Sequence, residues 1–227
     1  MFNIKKKILL GSGSPRRILL LKELGLNFRV LISDADETPL SDHLRGDIAK
    51  YLSEKKAEAL KNEIHENEIL ITADTIVWLD SSMLGKPANS EEAVEMLNLL
   101  SGRRHQVYTG VTLTDQSSKK TFCVESNVVF KTLNEIETRK YIQEYQPYDK
   151  AGSYGAQECL SEGINPCSEK EIQFLKNHGI ELFFERTLAM DKKKHIPIIE
   201  HIEGGYFNVM GLPVVELIEE LEAFDCQ

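Results

Sequence analysis

The 227-residue chain has few cysteines, no long apolar run and no surplus of positive charge. Its four cysteines, Cys123, Cys159, Cys167 and Cys226, include no CxxC pair. That pattern argues against a disulfide framework and for reduced thiols. Nowhere do 18 apolar residues follow one another, so no membrane span or membrane partner is expected. The opening "MFNIKKKILLGSGS" carries a basic patch, but its apolar run is too short for a signal-peptide core. Together these features lead us to expect a cytoplasmic protein. A net charge of -9 argues against the broad basic face of a general nucleic-acid binder, and no nucleic-acid partner is expected. It leaves room for one small anion held by cations gathered locally against the global field. There is no internal repeat and no low-complexity tract. The phosphate-loop pattern GxxxxGK[ST] is absent, and GxGxxR is not the dinucleotide fingerprint.

What is present reads as an ordinary globular domain, 41% hydrophobic and 28% charged, long enough to bury a substantial core. Lys5 to Leu10 predicts a strand. Ser14 to Leu24 predicts a helix with Ser14 as cap, Pro15 at the first helical position and Gly25 at the C-terminal cap. A second helix is expected over Asp42–Ile64, with Ile48, Leu52, Leu60 and Ile64 as its buried stripe. "EILITADTIVWLDSSMLGKP" predicts a buried strand, a turn and a hairpin. Ser90 caps a helix to Leu100, with Gly102 just past its end. Gln106–Thr132 alternates around "DQSSKK" as a long hairpin. Asn134 opens another helix, and "GLPVVELIEELEAF" forms the last. Strands alternate with helices but hairpins interrupt them, which predicts a mixed α/β sheet with flanking helices.

Four stretches carry chemistry. "GSGSPRR" places Ser12, Ser14, Arg16 and Arg17 at a strand-to-helix turn. Helix N-termini favour anions, and two arginines there oppose the helix dipole unless an anion answers them. A solvated turn with surface arginines is the plain alternative. In "TADTIVWLD", Asp74 lies in an apolar strand near its expected C-terminal end. A carboxylate there must be paired, bonded or metal-bound, as a cation ligand, a water-orienting group or a turn cap. In "LGKP", Lys86 precedes a proline and is held extended, or is simply solvated. "YDKAGSYGAQE" surrounds Lys150 and Tyr154 with small residues and includes Gln157, whose amide suits a nucleobase edge. Lys56 falls in the apolar stripe of the second helix, where its stem packs and its head either snorkels or enters a cleft.

Taken together these stretches resemble the Maf family of nucleoside triphosphate pyrophosphatases. The matching segments are "GSGSPRR", "ADTIV", "LGKP" with "EEAVEMLNLLSGRRHQVYTGV", "YDKAGSYGAQ" and "GGYFNVMGLP", and they cover nearly the whole chain in the family's order. The resemblance implies a mixed α/β fold, an elongated sheet in two lobes around a cleft, akin to inosine-triphosphate pyrophosphatases. It also implies a homodimer, a divalent cation (Mg²⁺ or Mn²⁺) as cofactor, and cleavage of a triphosphate to a monophosphate and pyrophosphate. By motif, Asp74 resembles the general base, and Arg16, Thr75 and Gln157 resemble specificity positions. Tyr154, Gly155 and Gln157 after "KAG" resemble the branch acting on dTTP and UTP. Arg16, Arg17, Lys56, Lys86 and Lys150 would offset the roughly four negative charges of a triphosphate, with Lys86 assisting the chemistry. Lys56 is then expected to point into the cleft. Ser12 and Ser14 become phosphate contacts. Glu37 matches a family acidic position and joins Asp74 and Asp149 as candidate metal ligands. His105 also matches a family position and is expected to be structural.

The chain is expected to form a single domain over 1–227 with an insertion at about 159–200 where the family has a short connection. Within it Ser168 and Glu171 predict a capping box and a helix ending near Gly179, and the segment reads first as surface decoration. Cys159, Cys167, His195 and His201 match no zinc spacing. Glu158 stands where glycine is common in the family. Two other readings remain: a nucleotide-binding regulator of cell division, and a clean-up pyrophosphatase for non-canonical purine triphosphates.

Overall fold

The computed structural model describes residues 2–38, 44–160, 165–180 and 196–226. The short apolar strand β1 (Lys7–Leu10) pairs in parallel with β2 (Phe28–Val30) and, on its other edge, with β3 (Glu68–Leu79). The remaining pairs are antiparallel: β3 with β4 (Ser82–Leu84) and β5 (Arg104–Thr114), β5 with β6 (Lys119–Phe130), and β6 with β7 (Ile199–Glu203). The order is β2-β1-β3-β5-β6-β7, with β4 beside β3. The sheet is mixed, as the interrupting hairpins imply. The unanticipated strands are the short ones, β2 and β7, where three to five residues give too little alternation to see.

One detail of this topology makes the site. β1 follows β3 only as far as the Leu10–Ile71 pair, and β4 joins β3 only from Val77. Between these points Thr72–Ile76 pairs with β5 on one edge and, among the described residues, with no strand on the other. Asp74 therefore lies mid-strand beside a gap in the sheet, not near the strand's end as expected; β3 runs on through Leu79.

Seven helices flank the sheet among the described residues: α1 (Pro15–Glu23), α2 (Gly46–Ala59), α3 (Ser90–Leu100), α4 (Glu135–Tyr145), α5 (Glu169–Asn177), α6 (Tyr206–Met210) and α7 (Val214–Asp225). α2 covers one face among the described residues. Its Ile48, Ala49 and Leu52 pack with Ile76, Trp78 and Tyr108, and its Ala57 joins Leu60 on Leu9 and Leu70. The opposite face carries the main core, where Ile69, Ile71, Ala73 and Val77 meet Leu20, Leu97, Tyr141 and Leu217. Side chains alternate along a strand, so Asp74 faces α2 while Thr75 faces the main core.

Several helix ends differ from expectation. α2 starts at Gly46 and ends at Ala59, followed by a short turn of 3-10 helix over Lys61–Glu63; 39–43 lie outside the described residues. Asn89, not Ser90, caps α3, accepting from the Glu92 amide at 2.9 Å. Ser14 precedes α1 with Pro15 at its start, but the Ser14 hydroxyl makes no capping bond. The Ser168–Glu171 capping box is formed, as is one between Asn134 and Glu137.

Two residues on β5 hold the layers together. Gly110, the cross-strand partner of Asp74, lets α2 approach so closely that an added Cβ would lie 2.3 Å from the Ala49 carbonyl. Gly110→Ala should therefore push α2 off the sheet and destabilise the protein by about 1–3 kcal/mol, measured by urea unfolding. His105 is buried, as expected of a structural residue. Its Nε2 lies 2.8 Å from the Tyr154 hydroxyl, and its ring meets Phe130 and Tyr154 edge-on. Burial pushes its pKa down from 6.5 to about 3. The unfolded chain thus takes up this proton first, and stability falls as pH drops from 6.5 towards 3. His105→Gln should flatten the upper part of that loss, above the range where carboxylates titrate, in denaturation curves taken at successive pH values.

Candidate active site

β1 ends at the sheet gap, where the Gly11 amide donates to the Ile71 carbonyl at 2.8 Å. From there the chain turns through Ser12, Gly13 and Ser14 into α1, whose first turn holds no acidic residue. Its partial positive end and two arginines thus border a cavity of about 470 Å³ at the gap. The cavity is lined by Ser12, Ser14, Arg16, Arg17, Glu37, Lys56, Asp74, Thr75, Lys86, Asp149 and Lys150, so eleven of the twelve residues expected at the site converge there.

They form two charge clusters. In the first, Lys56 reaches from α2 across to β3, with its Nζ 2.5 Å from Asp74 Oδ1 and 3.1 Å from Glu37 Oε1. Its side chain is only 11% exposed, so it does not snorkel to water. Lys86 lies 4.0 Å from Glu37 Oε2 on a far more exposed side chain. Partial burial works to raise the Glu37 pKa, but Lys56 and then Lys86 outweigh it and hold the carboxyl below its usual range.

The second cluster sits on the loop after α4. Arg16 NH1 is 3.6 Å from Asp149 Oδ2, and Lys150 Nζ is 3.0 Å from Asp149 Oδ1 and 3.6 Å from Glu158 Oε1. Burial tends to raise the Asp149 pKa, yet Lys150 and Arg16 bring it down overall. Glu158, at the position where glycine was the family's common residue, is a buried counter-ion whose Oε2 accepts from the Tyr141 hydroxyl at 2.7 Å. No local pattern marked it, because its partners come from another helix and from eight residues earlier.

Three expectations need correcting. Arg17 is not a free phosphate clamp. Its Nε donates to the Gly211 carbonyl at 2.8 Å, its NH1 to the Ala73 carbonyl at 2.7 Å and Ser12 Oγ at 3.2 Å, and its NH2 to Thr75 Oγ1 at 3.0 Å. It is a buried rivet joining the turn, β3 and the residue after α6. Ser12 and Thr75 are correspondingly engaged in the floor, Thr75 also bonding Thr109 at 3.0 Å. Asp149 does not meet Asp74 and Glu37; it faces Arg16 and Lys150, and no group of three metal-binding side chains forms among the described residues. Gln157 does not line the cavity, and its Oε1 is buried with no hydrogen-bond partner among the described residues. The neighbouring Tyr154, Gly155 and Ala156 line it instead.

The expected insertion reaches the site indirectly. Glu171 of α5 accepts from the Tyr206 and Phe207 amides at 3.0 and 2.9 Å, capping α6. The other end of α6 supplies Val209, Met210 and Gly211 to the cavity wall. This part of the segment is therefore built into the fold and is not decoration; 181–195, with His195, lie outside the described residues.

The donor chemistry suits a hard dication. Asp74 and Glu37 converge on one cationic point, the Lys56 ammonium, within 3.1 Å. One or two carboxylates completed by phosphate oxygens and water is the usual set for Mg²⁺.

Cationic side chains, a helix N-terminus and a pair of convergent carboxylates thus meet in one cleft, a charge pattern suited to a polyanion. The family described as Maf-like protein matches residues 7–173, and the chain belongs to it. It is 40% identical over 219 residues to a dTTP/UTP pyrophosphatase of Bacteroides thetaiotaomicron, covering 96% of each chain. It is 41% identical over 224 residues to one of Parabacteroides distasonis, covering 98% of each, and 37% identical over 220 residues to one of Bacillus mycoides, covering 97% of this chain and 96% of that one. Among solved structures, the Ham1 protein of Staphylococcus aureus overlaps 55% of this chain and 72% of its own, at 19% identity and a TM-score of 0.38. Protein VC0702 of Vibrio cholerae overlaps 82% and 92%, at 9% identity and a TM-score of 0.32. Neither structural likeness is close enough to carry an argument.

Proposed function

We propose that the protein is a nucleoside triphosphate pyrophosphatase that converts dTTP and UTP to their monophosphates and pyrophosphate, assisted by a divalent cation. The observation that carries this reading is the convergence of Asp74, Glu37, Lys56, Lys86, Arg16 and Lys150 on one cavity beside a helix N-terminus. The names of its relatives support the pyrimidine assignment.

In this mechanism the cations of both clusters hold the triphosphate chain, and α1 presents its N-terminus to a phosphate. Asp74 accepts the proton of a water molecule whose oxygen bonds to the α-phosphorus. The bond from that phosphorus to the bridging oxygen breaks in line, and pyrophosphate leaves. Lys86, the most solvent-accessible lysine of the first cluster, meets the charge that develops on the leaving group. Asp74 and Glu37 would hold the cation, which supplies charge neutralisation and lowers the pKa of bound water. Hydrolysis in ¹⁸O-labelled water tests the site of attack: the label is expected in the monophosphate, and label in pyrophosphate would overturn the α-phosphorus assignment.

The same reading places the protein in the cytoplasm as a homodimer. The first rests on four free thiols and the second on the family resemblance alone. Among the described residues no helix is long and apolar enough to cross a membrane.

A further inference from the structure

In this cleft the two carboxylates best placed for a cation already hold one, the ammonium of Lys56. Its Nζ lies 2.5 Å from Asp74 Oδ1 and 3.1 Å from Glu37 Oε1. The lysine cannot withdraw to solvent, because its side chain is 11% exposed and lies in the apolar stripe marked by Leu52 and Leu60, so it leaves the carboxylates only for another anion within the cleft. α2 is in turn held against β5 through the close approach at Gly110. The other side chains facing these groups are Lys86, 4.0 Å from Glu37, and the buried guanidinium of Arg17, whose charge acts on both carboxylates. A dication entering alone would meet two carboxylates already paired with an ammonium lying between them.

We infer that Lys56 is a built-in competitor for the metal position, so that this site excludes free divalent cations and admits them only together with a polyphosphate. When the anion arrives, the ammonium gains phosphate oxygens as partners, and Asp74 and Glu37 are released to the metal. The exchange leaves each group paired: the ammonium passes from the carboxylates to phosphate, and the dication, with one more positive charge, neutralises the two carboxylates it joins. The enzyme thereby selects the metal–nucleotide complex over either component. This rests on the reading of the cleft as a metal-assisted triphosphate site. It goes beyond that reading by assigning Lys56 a role in the order of binding as well as in holding phosphate.

The test is titration of Mn²⁺ alone, followed by its paramagnetic resonance signal, into wild type and Lys56→Met without nucleotide. Two unpaired carboxylates within a few ångströms attract a dication strongly, and removing the intervening charge should tighten Mn²⁺ binding about tenfold or more. Adding Glu37→Gln to Lys56→Met should abolish the gain, which locates the new site. Lys56→Gln, which keeps a polar head between the carboxylates, serves if the methionine variant does not fold, and it should tighten binding in the same direction. Unchanged or weaker Mn²⁺ binding in the folded Lys56 variants would overturn the inference, as would a gain that survives Glu37→Gln. Because no nucleotide is present, this outcome is independent of turnover. Failure of wild type to release pyrophosphate would instead overturn the functional reading.

Discussion

Asp74→Asn should lower pyrophosphate release from dTTP by about 10²–10⁴-fold, the range of a general acid–base contribution. The substitution keeps the shape of the side chain and an oxygen for Lys56 but removes the proton acceptor. The loss should appear in kcat, with a smaller change in KM, since the cationic groups that hold the triphosphate remain. The fold should survive, because among the described residues the Asp74 side chain is held by its ion pair to Lys56 at 2.5 Å and not by a network of main-chain bonds. Comparable thermal midpoints for wild type and variant would show that chemistry alone was lost. Wild-type activity in the variant would remove Asp74 from the mechanism.

Arg17→Met should act in the opposite proportion, on stability first. Removing the guanidinium leaves the Ala73 and Gly211 carbonyls without the donors that now lie 2.7 and 2.8 Å away. The Ala73 carbonyl loses its side-chain donor and the Gly211 carbonyl keeps only the Thr75 hydroxyl at 3.4 Å; a buried acceptor left unpaired costs about 1–3 kcal/mol, so the loss should be of about that size. Ala73 and Thr75 flank Asp74, and both bond Arg17. Activity should therefore fall together with the thermal midpoint, and lysine should not rescue it, because an ammonium gathers its donors at one point and cannot reach partners spread over Nε, NH1 and NH2. A variant with normal stability and a raised KM would show instead that Arg17 serves the phosphates.

These two residues also mark what the sequence makes legible. Asp74 stands out because a carboxylate inside "ILITADTIVWL" is anomalous on polarity alone. Lys56 stands out because it breaks a four-residue apolar stripe. Both signals are local, and the structure brings them together. Arg17 gives no such signal: it reads like its neighbour Arg16. What separates them is helical rotation at the start of α1, which turns one guanidinium inward towards carbonyls 56 and 194 residues further along the chain and leaves the other at the rim, facing Asp149. Gln157 is overshadowed for a related reason, since the tight turns over Ala151–Ser153 and Ala156–Glu158 place Tyr154, Gly155 and Ala156 at the wall in its stead.

The cleft itself was the least legible feature. It exists because β1 stops four residues after it starts while β3 continues for twelve. That mismatch in strand length leaves Asp74 paired with β5 on one edge and, among the described residues, with no strand on the other, and strand ends are poorly marked in sequence. The part played by α5 was hidden for the same kind of reason. The Ser168–Glu171 box announces a helix, but nothing local tells that the Glu171 carboxylate also caps α6.

Whether the cleft is a pyrimidine triphosphate pyrophosphatase site is decided by assaying purified protein and Mg²⁺ for pyrophosphate release from dTTP, UTP, CTP, ATP, ITP and 7-methyl-GTP. Stoichiometric pyrophosphate and monophosphate are expected from dTTP and UTP, abolished by chelation and restored by Mg²⁺ or Mn²⁺. Release confined to purines, orthophosphate in place of pyrophosphate, or no release from any triphosphate would contradict that reading.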